Sequence, residues 1–243
     1  MNTTLIIAHR GASAYAHENT IEAFRIAIEM NADMIETDVR KTVDGILILH
    51  HDEHIGNRLI RELTFAEASG AALEGGGYIL PTLEETLQYV KGKIKLDLEL
   101  KEAGYELGVA DMAAHQLERD EFVLTSFKEP SVRIIKENRP DLTCGLLMNI
   151  SLYKRPGLSI ESVLSPIRRQ KRCKADFLLP HWEIIKFGFL NRIRKKTRPV
   201  FVWTVNDRRM IRKLLGEEMV SGIVTDHPDI AVFLRETGSR ADQ

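Results

Sequence analysis

The stretch Met34-Ile35-Glu36-Thr37-Asp38-Val39, read with Ile94-Lys95-Leu96-Asp97-Leu98-Glu99-Leu100-Lys101, decides the fold. Both segments carry the aliphatic and β-branched residues of a strand buried on two faces, yet acidic residues recur in them at intervals of two. Side chains at i and i+2 share one face of a strand, so Glu36 is paired with Asp38 and Glu99 with Lys101. Two carboxylates about 4 Å apart repel by roughly 4 kcal/mol at an effective dielectric near 20. Three of them facing a dry interior are therefore expelled, protonated or neutralised by a cation. Oxygen ligands of this kind suit one hard divalent ion, Mg²⁺ or Ca²⁺, with Mn²⁺ also admissible.

Outward from these segments, short apolar runs alternate with helical patterns along the whole chain. Strands are predicted at 5–8, 34–39, 94–100, 122–125, 142–147, 177–179, 200–205 and 223–225. Helices are predicted at 20–30, from Thr82 onward, and at 105–117, 130–138, 160–172, 183–195, 208–215 and 228–236. Asn19 with Glu22 and Thr82 with Glu85 have the spacing of N-terminal caps. Eight strands alternating with helices predict an α/β fold, a single-domain (β/α)8 TIM barrel over residues 1–243, rather than an open doubly wound sheet. His9-Arg10, Glu36 with Asp38, Glu99 with Lys101, Trp203 and Asp226 all fall at or just past C-terminal strand ends, the face where such barrels assemble their sites.

One stretch breaks the rhythm. An extra strand is predicted at 46–49, after the Asp44-Gly45 turn, and a small insertion after the second strand then occupies 52–80. Connections of that length are functional or hold small elements of their own, so it is placed beside the site mouth, with Gly75-Gly76-Gly77 making its far end mobile.

At 243 residues and 44% hydrophobic content the chain is long enough for one large core. Its 34 Lys and Arg against 35 Asp and Glu leave a net charge of -1, which gives no electrostatic case for nucleic acid. Cys144 and Cys173 are too few for a disulfide framework and read as reduced packing residues. No apolar run reaches the roughly 18 to 20 residues of a bilayer span, and the expected location is cytoplasmic. The basic runs 168–172 and 192–198 read as solvated faces near helix C-termini, weak peripheral contact with an anionic membrane being the alternative. The oligomeric state is left open.

A divalent ion, the fork of Arg10 and the point charge of Lys101 together suit the oxygens of a phosphate ester. His9 and His51 supply groups that exchange protons near neutral pH, and the set points to phosphodiester hydrolysis. His9-Arg10-Gly11, Glu18-Asn19-Thr20, Glu36-Thr37-Asp38-Val39, Thr42-Val43-Asp44-Gly45, His51-Asp52, Glu99-Leu100-Lys101, Trp203-Thr204-Val205-Asn206 and Thr225-Asp226 stand in one order along the chain. In that series the chain resembles the glycerophosphodiester phosphodiesterases, from Ala8 to about Asp229. The resemblance implies a metal-dependent barrel that releases glycerol 3-phosphate and an alcohol from a small glycerophosphodiester. It further implies His9 and His51 as the acid/base pair, Glu36, Asp38 and Glu99 as metal ligands, and Arg10 and Lys101 as phosphate holders. Trp203 would wall the pocket, and Glu18 would fix the loop after the first strand. The family usually has proline where this chain has His17, and either water or the glycerol 2-hydroxyl serves as attacker.

His50 and His51 are adjacent, so strand alternation would turn only one of them to the site, and the resemblance selects His51. Asp97 lies deeper on the face of Glu99 and reads as a satisfied buried carboxylate. A lysophospholipase D-like enzyme, with Tyr78, Ile79, Phe187 and Phe189 at an apolar entrance, and a catalytically inactive barrel are the alternatives.

Overall fold

The computed structural model describes residues 4–149, 164–186, 188–193 and 199–238. Eight parallel strands close on themselves: β1 (Leu5–His9), β2 (Met34–Lys41), β6 (Lys95–Leu100), β7 (Phe122–Ser126), β8 (Cys144–Met148), β9 (Phe177–Pro180), β10 (Val200–Val202) and β11 (Val220–Thr225). The neighbour order runs β1-β11-β10-β9-β8-β7-β6-β2, and β1 pairs with β2 to complete the ring. This is the predicted (β/α)8 barrel. β3 (Leu47–Leu49) runs antiparallel to β2 outside the ring, with Val39 opposite Leu49.

Alternation along the strands explains the layering. One face of each strand meets the surrounding helices in a large apolar core that includes Ile6, Ile35, Leu98 and Leu124. The other face fills the barrel, where Ile7, Met34, Leu147, Phe177, Leu179, Phe201 and Val224 form an apolar plug. Gly145 makes room for it, since a Cβ there would lie 2.4 Å from Leu179 and 2.6 Å from Phe177. The plug places a low-dielectric floor under whatever polar groups the next layer carries.

The helices are α1 (Ile21–Glu29), α2 (Phe65–Gly76), α3 (Leu83–Val90), α4 (Glu106–Gln116), α5 (Glu129–Asn138), α6 (Pro166–Cys173), α7 (Trp182–Lys186), α8 (Phe189–Ile193), α9 (Arg208–Leu215) and α10 (Pro228–Gly238). The box at Thr82 forms in both directions, with Glu85 N–H donating to the Thr82 hydroxyl and Thr82 N–H donating to Glu85. The cap of α1 is Thr20 rather than the expected Asn19, because the Asn19 side chain is engaged on β2. The single helix expected at 183–195 is two short ones, α7 and α8, with Gly188 at φ +72 between them. Phe187, the first four residues of the 160–172 helix and residues 194–198 of the second basic run lie outside the described residues.

The 52–80 insertion holds a small hairpin of β4 (His54–Ile55) and β5 (Arg58–Leu59), a 3-10 turn at Ile60–Glu62, and α2. Its Ile55, Ile60, Leu63, Ala68, Ala72 and Leu80 form a separate apolar cluster with Ile48 of β3. The glycine run closes a helix: Gly75 and Gly76 are its last residues and Gly77 is the left-handed cap at φ 67.

In the basic run 168–172, Arg168, Lys171 and Arg172 are exposed as expected of a solvated face, and Arg169 is the exception. Arg169 is 4% exposed, and both it and Arg172 pair with Glu129 on α5. No helix of the described residues is long and apolar enough to cross a membrane.

Candidate active site

Parallel register sets the height of each functional side chain. His9 is level with Glu36 on β2, Glu36 with Asp97 on β6, and Asp38 with Glu99. Five strand residues from β1, β2 and β6 thus meet toward the C-terminal rim, above the apolar plug. Glu36, Asp38 and Glu99, all buried, each offer a carboxylate oxygen within 4.8 Å of the others.

The cations are already among them. Lys101 Nζ lies 2.8 Å from Glu99 Oε1 and 2.9 Å from Asp38 Oδ1, although Asp38 Oδ1 has no aligned hydrogen-bond donor. Arg10 is reached by a tight turn in which it and Gly11 both take left-handed backbone, at φ 56 and φ 82. A Cβ at position 11 would stand 2.7 Å from that of Ala23, so only glycine fits. The turn lets Arg10 N–H donate to Glu36 (3.0 Å), while the guanidinium reaches Glu18 (2.7 Å) and Asp38 (3.2 Å). Asn19, also left-handed, donates to Asp38 Oδ2 (2.9 Å) and accepts from Asp38 N–H and the Thr37 hydroxyl. Its functional use is to hold Asp38.

Burial and charge pull these groups apart electrostatically. Burial raises Glu36 well above the ordinary carboxylate range, and repulsion from Asp38, Glu99 and Asp97 adds to it. Burial also raises Glu99, with Lys101 opposing. Asp38 is equally buried but is held low, because Lys101, Arg10 and the Asn19 hydrogen bond outweigh burial. Lys101 is raised because Glu99 and Asp38 outweigh its burial. Two cations stand among four buried carboxylates, Asp97 included, and the raised Glu36, Glu99 and Asp97 mark a crowding of hard oxygens that bound positive charge would relieve. That donor set fits a divalent cation.

Asp97 is only half satisfied. One oxygen accepts from the Thr125 hydroxyl (2.6 Å), the other is buried without a partner, and burial pushes the carboxyl up to about 7. Between about pH 4, where the unfolded chain releases this proton, and about 7, the folded chain keeps it. Wild-type stability therefore falls with rising pH in that window, by at most about 1.4 kcal/mol per unit from this group. With chelator present, the Tm of Asp97→Asn minus that of wild type should increase from pH 4 to 7 and then level off. Thermal scans giving a constant difference would mean that Asp97 ionises at its ordinary value.

The two expected histidines flank the cluster. His9 Nδ1 lies 2.6 Å from Asp226 Oδ1, leaving Nε2 facing Glu36 at 3.9 Å. Asp226 is itself held by the Ser13 hydroxyl, Asn206 Nδ2 and a network through Thr225. His51 Nδ1 lies 2.9 Å from Asp52, and burial, reinforced by Lys101, lowers its pKa. Strand alternation does not separate it from His50, because β3 ends at Leu49. His50 and His51 line one cleft of about 730 Å³ with Asp52, His54, Tyr78 and Lys101.

Trp203 follows β10 directly. Its Nε1–H donates to the Leu179 carbonyl (2.7 Å) and its ring meets Phe127 and His181 edge-on, at 5.3 and 5.1 Å between centroids. His17 stacks on Tyr78 at 3.7 Å, joining the loop after β1 to the insertion. Sequence reasoning set Asp226 on the site face and Asn206 in a motif without giving either a role, and passed over Ser13. Asp226 was the one with a signal, a carboxylate just beyond the last barrel strand, which closure sets beside β1.

The family model described as the glycerophosphoryl diester phosphodiesterase family matches residues 9–230. YhdW of Bacillus subtilis is 34% identical over 249 residues, 93% of this chain and 96% of that one. The glycerophosphodiester phosphodiesterase of Caldanaerobacter subterraneus is 30% identical over 253 residues, 97% and 99% of the two chains. Among solved structures, an Oleispira antarctica phosphodiesterase in complex with its product sn-glycerol-3-phosphate aligns with a TM-score of 0.75 at 22% identity, covering 99% of this chain and 98% of that one.

Proposed function

The chain belongs to the glycerophosphoryl diester phosphodiesterase family and is a glycerophosphodiester phosphodiesterase; from that premise we propose that it works with one divalent cation and with His9 and His51 as its acid/base pair. The observation that carries this reading is the meeting of three buried carboxylates within 4.8 Å, flanked by two histidines and two cations. Glu36, Asp38 and Glu99 would hold the ion, Mg²⁺, Ca²⁺ or Mn²⁺, which when bound supplies a Lewis acid for a phosphate oxygen.

The chain's own groups do the rest. Arg10 and Lys101, which face carboxylates in the free protein, take the non-bridging phosphate oxygens, so charge gathering there meets fixed positive partners. Asp226 fixes the His9 ring through Nδ1, and Nε2 is left to move a proton at the phosphate. His51, oriented by Asp52 at the edge of the cleft, handles the second proton, one histidine serving the attacking oxygen and the other the departing alcohol. Trp203 closes the rim on the β10 side, where the glycerol would lie. Residues 1–243 form one catalytic domain in this reading, with 52–80 walling the mouth, and the buried cysteines fit a reducing, cytoplasmic location.

One observation favours a second reading, the lysophospholipase D-like activity. An apolar groove of about 550 Å³ between His17, Ile21, Tyr78, Ile79 and Tyr89 shares Tyr78 with the cleft, and Ile79 is 83% exposed beside it. A coupled assay for glycerol 3-phosphate and choline separates the two. Glycerophosphocholine and other small glycerophosphodiesters should turn over, faster than lysophosphatidylcholine and only with metal present. Preference for lysophosphatidylcholine would install the second reading, and turnover of neither would remove both.

A further inference from the structure

We propose that Arg40 is a positioning residue that sets the place of His51 over the cleft. This rests on the reading of His51 as half of the acid/base pair. Arg40 follows Glu36 and Asp38 on the inner face of β2, the last inward side chain before the strand leaves the barrel, and it is 8% exposed. All of its donor groups point at structure. Nε–H is shared between the carbonyls of His50 (3.2 Å) and His51 (3.0 Å), Nη2 donates to the His51 carbonyl (2.5 Å), and Nη1 pairs with Glu102.

Glu102 is fixed in turn. Its second oxygen lies 2.6 Å from the Tyr105 hydroxyl, which is 2.7 Å from the Val39 carbonyl, and Glu102 N–H donates to that hydroxyl at 3.0 Å. The circuit starts and ends on β2. It joins the strand that carries Asp38 to the segment just after Lys101 and to the turn that carries His51.

That turn needs such a hold. His51 lies beyond the end of β3, and its ring contact is Asp52, an exposed neighbour. The backbone is also tied by His50 N–H to the Asp38 carbonyl (3.0 Å) and by the His50 ring, whose Nδ1 lies 3.0 Å from the Asp52 carbonyl. A planar guanidinium can grip two successive carbonyls and a carboxylate together, a geometry that a lysine ammonium does not reproduce. Arg40 borders the same cleft, but its guanidinium is committed to the His50 and His51 carbonyls and to Glu102, so its effect on rate passes through the ring it places.

The test is a double-mutant cycle of Arg40→Gln with His51→Ala in the metal-loaded enzyme, read as kcat, KM and Mn²⁺ affinity. Arg40→Gln should lower kcat about 10- to 100-fold, the scale of a misplacement near 1 Å, with KM and Mn²⁺ affinity within about twofold. Arg40→Lys should not restore it. In the His51→Ala background the same change should have no further effect on kcat. An equal loss in both backgrounds would mean general damage and overturn the inference while leaving the histidine reading intact. A rise in KM alone would make Arg40 a substrate contact instead. Full turnover by His51→Ala would sink the histidine reading and the positioning role with it. Should Arg40→Gln fail to fold, Glu102→Gln, which releases the far end of the guanidinium, enters the same cycle with a smaller loss expected and the same outcomes deciding.

Discussion

His51→Ala should fold, bind its metal with unchanged affinity and lose about 10² to 10⁴ of kcat, the range typical of a missing general acid or base. The side chain is partly exposed at the cleft, its ring contact is the exposed Asp52, and it is no part of an apolar cluster, so its removal leaves no cavity to destabilise the fold. Burial and the nearby Lys101 lower its pKa, which favours the neutral imidazole that a proton acceptor in the proposed cycle needs. Activity resting on its neutral form should decline as pH falls through that lowered value. Steady-state kinetics on glycerophosphocholine with Tm and Mn²⁺ titration beside them measure all of this. Unchanged kcat in a folded, metal-loaded variant would remove His51 from the chemistry.

Glu99→Gln should have the larger consequence for the metal. Replacing one of three carboxylates removes a full negative charge and a ligand from a pocket where Lys101 already offsets part of the field. Outer partners of metal ligands alone are worth about 10- to 100-fold in affinity, so a ligand itself should be worth at least about 100-fold. Turnover should vanish with chelator in the wild type and return with Mn²⁺ or Mg²⁺, and the variant should need far more ion for any recovery. Isothermal titration with Mn²⁺ gives the affinity, and the coupled assay gives the rate. A variant that binds Mn²⁺ as tightly as wild type would exclude Glu99 from the ion's shell.

The barrel was legible because its strands are local events. Runs such as 34–39 and 177–179 announce themselves by apolar composition, and the observed strands begin at the same residues and run two residues and one residue further. The carboxylate pairs were legible too, since i and i+2 on a strand fix a common face before any partner is known. What escaped was made by contacts across the chain. Asn19 has the look of a helix cap, but its side chain meets Asp38 on a strand 19 residues away, and Thr20 caps in its place. Asp226 faces His9 across 217 positions, a pairing that exists only because β11 closes against β1. Gly188 divides the helix expected at 183–195 by adopting φ +72, a choice that apolar periodicity does not register. His17, out of step with the family's proline, shows its use only when Tyr78 arrives from the insertion.

The ion is the center of the reading, and crystals of the protein grown with Mn²⁺, examined by anomalous diffraction, test it most directly. The expected result is one strong anomalous peak bounded by the carboxylates of Glu36, Asp38 and Glu99, lost in Glu99→Gln. A peak elsewhere on the rim, or full turnover by a protein stripped of metal, would contradict it.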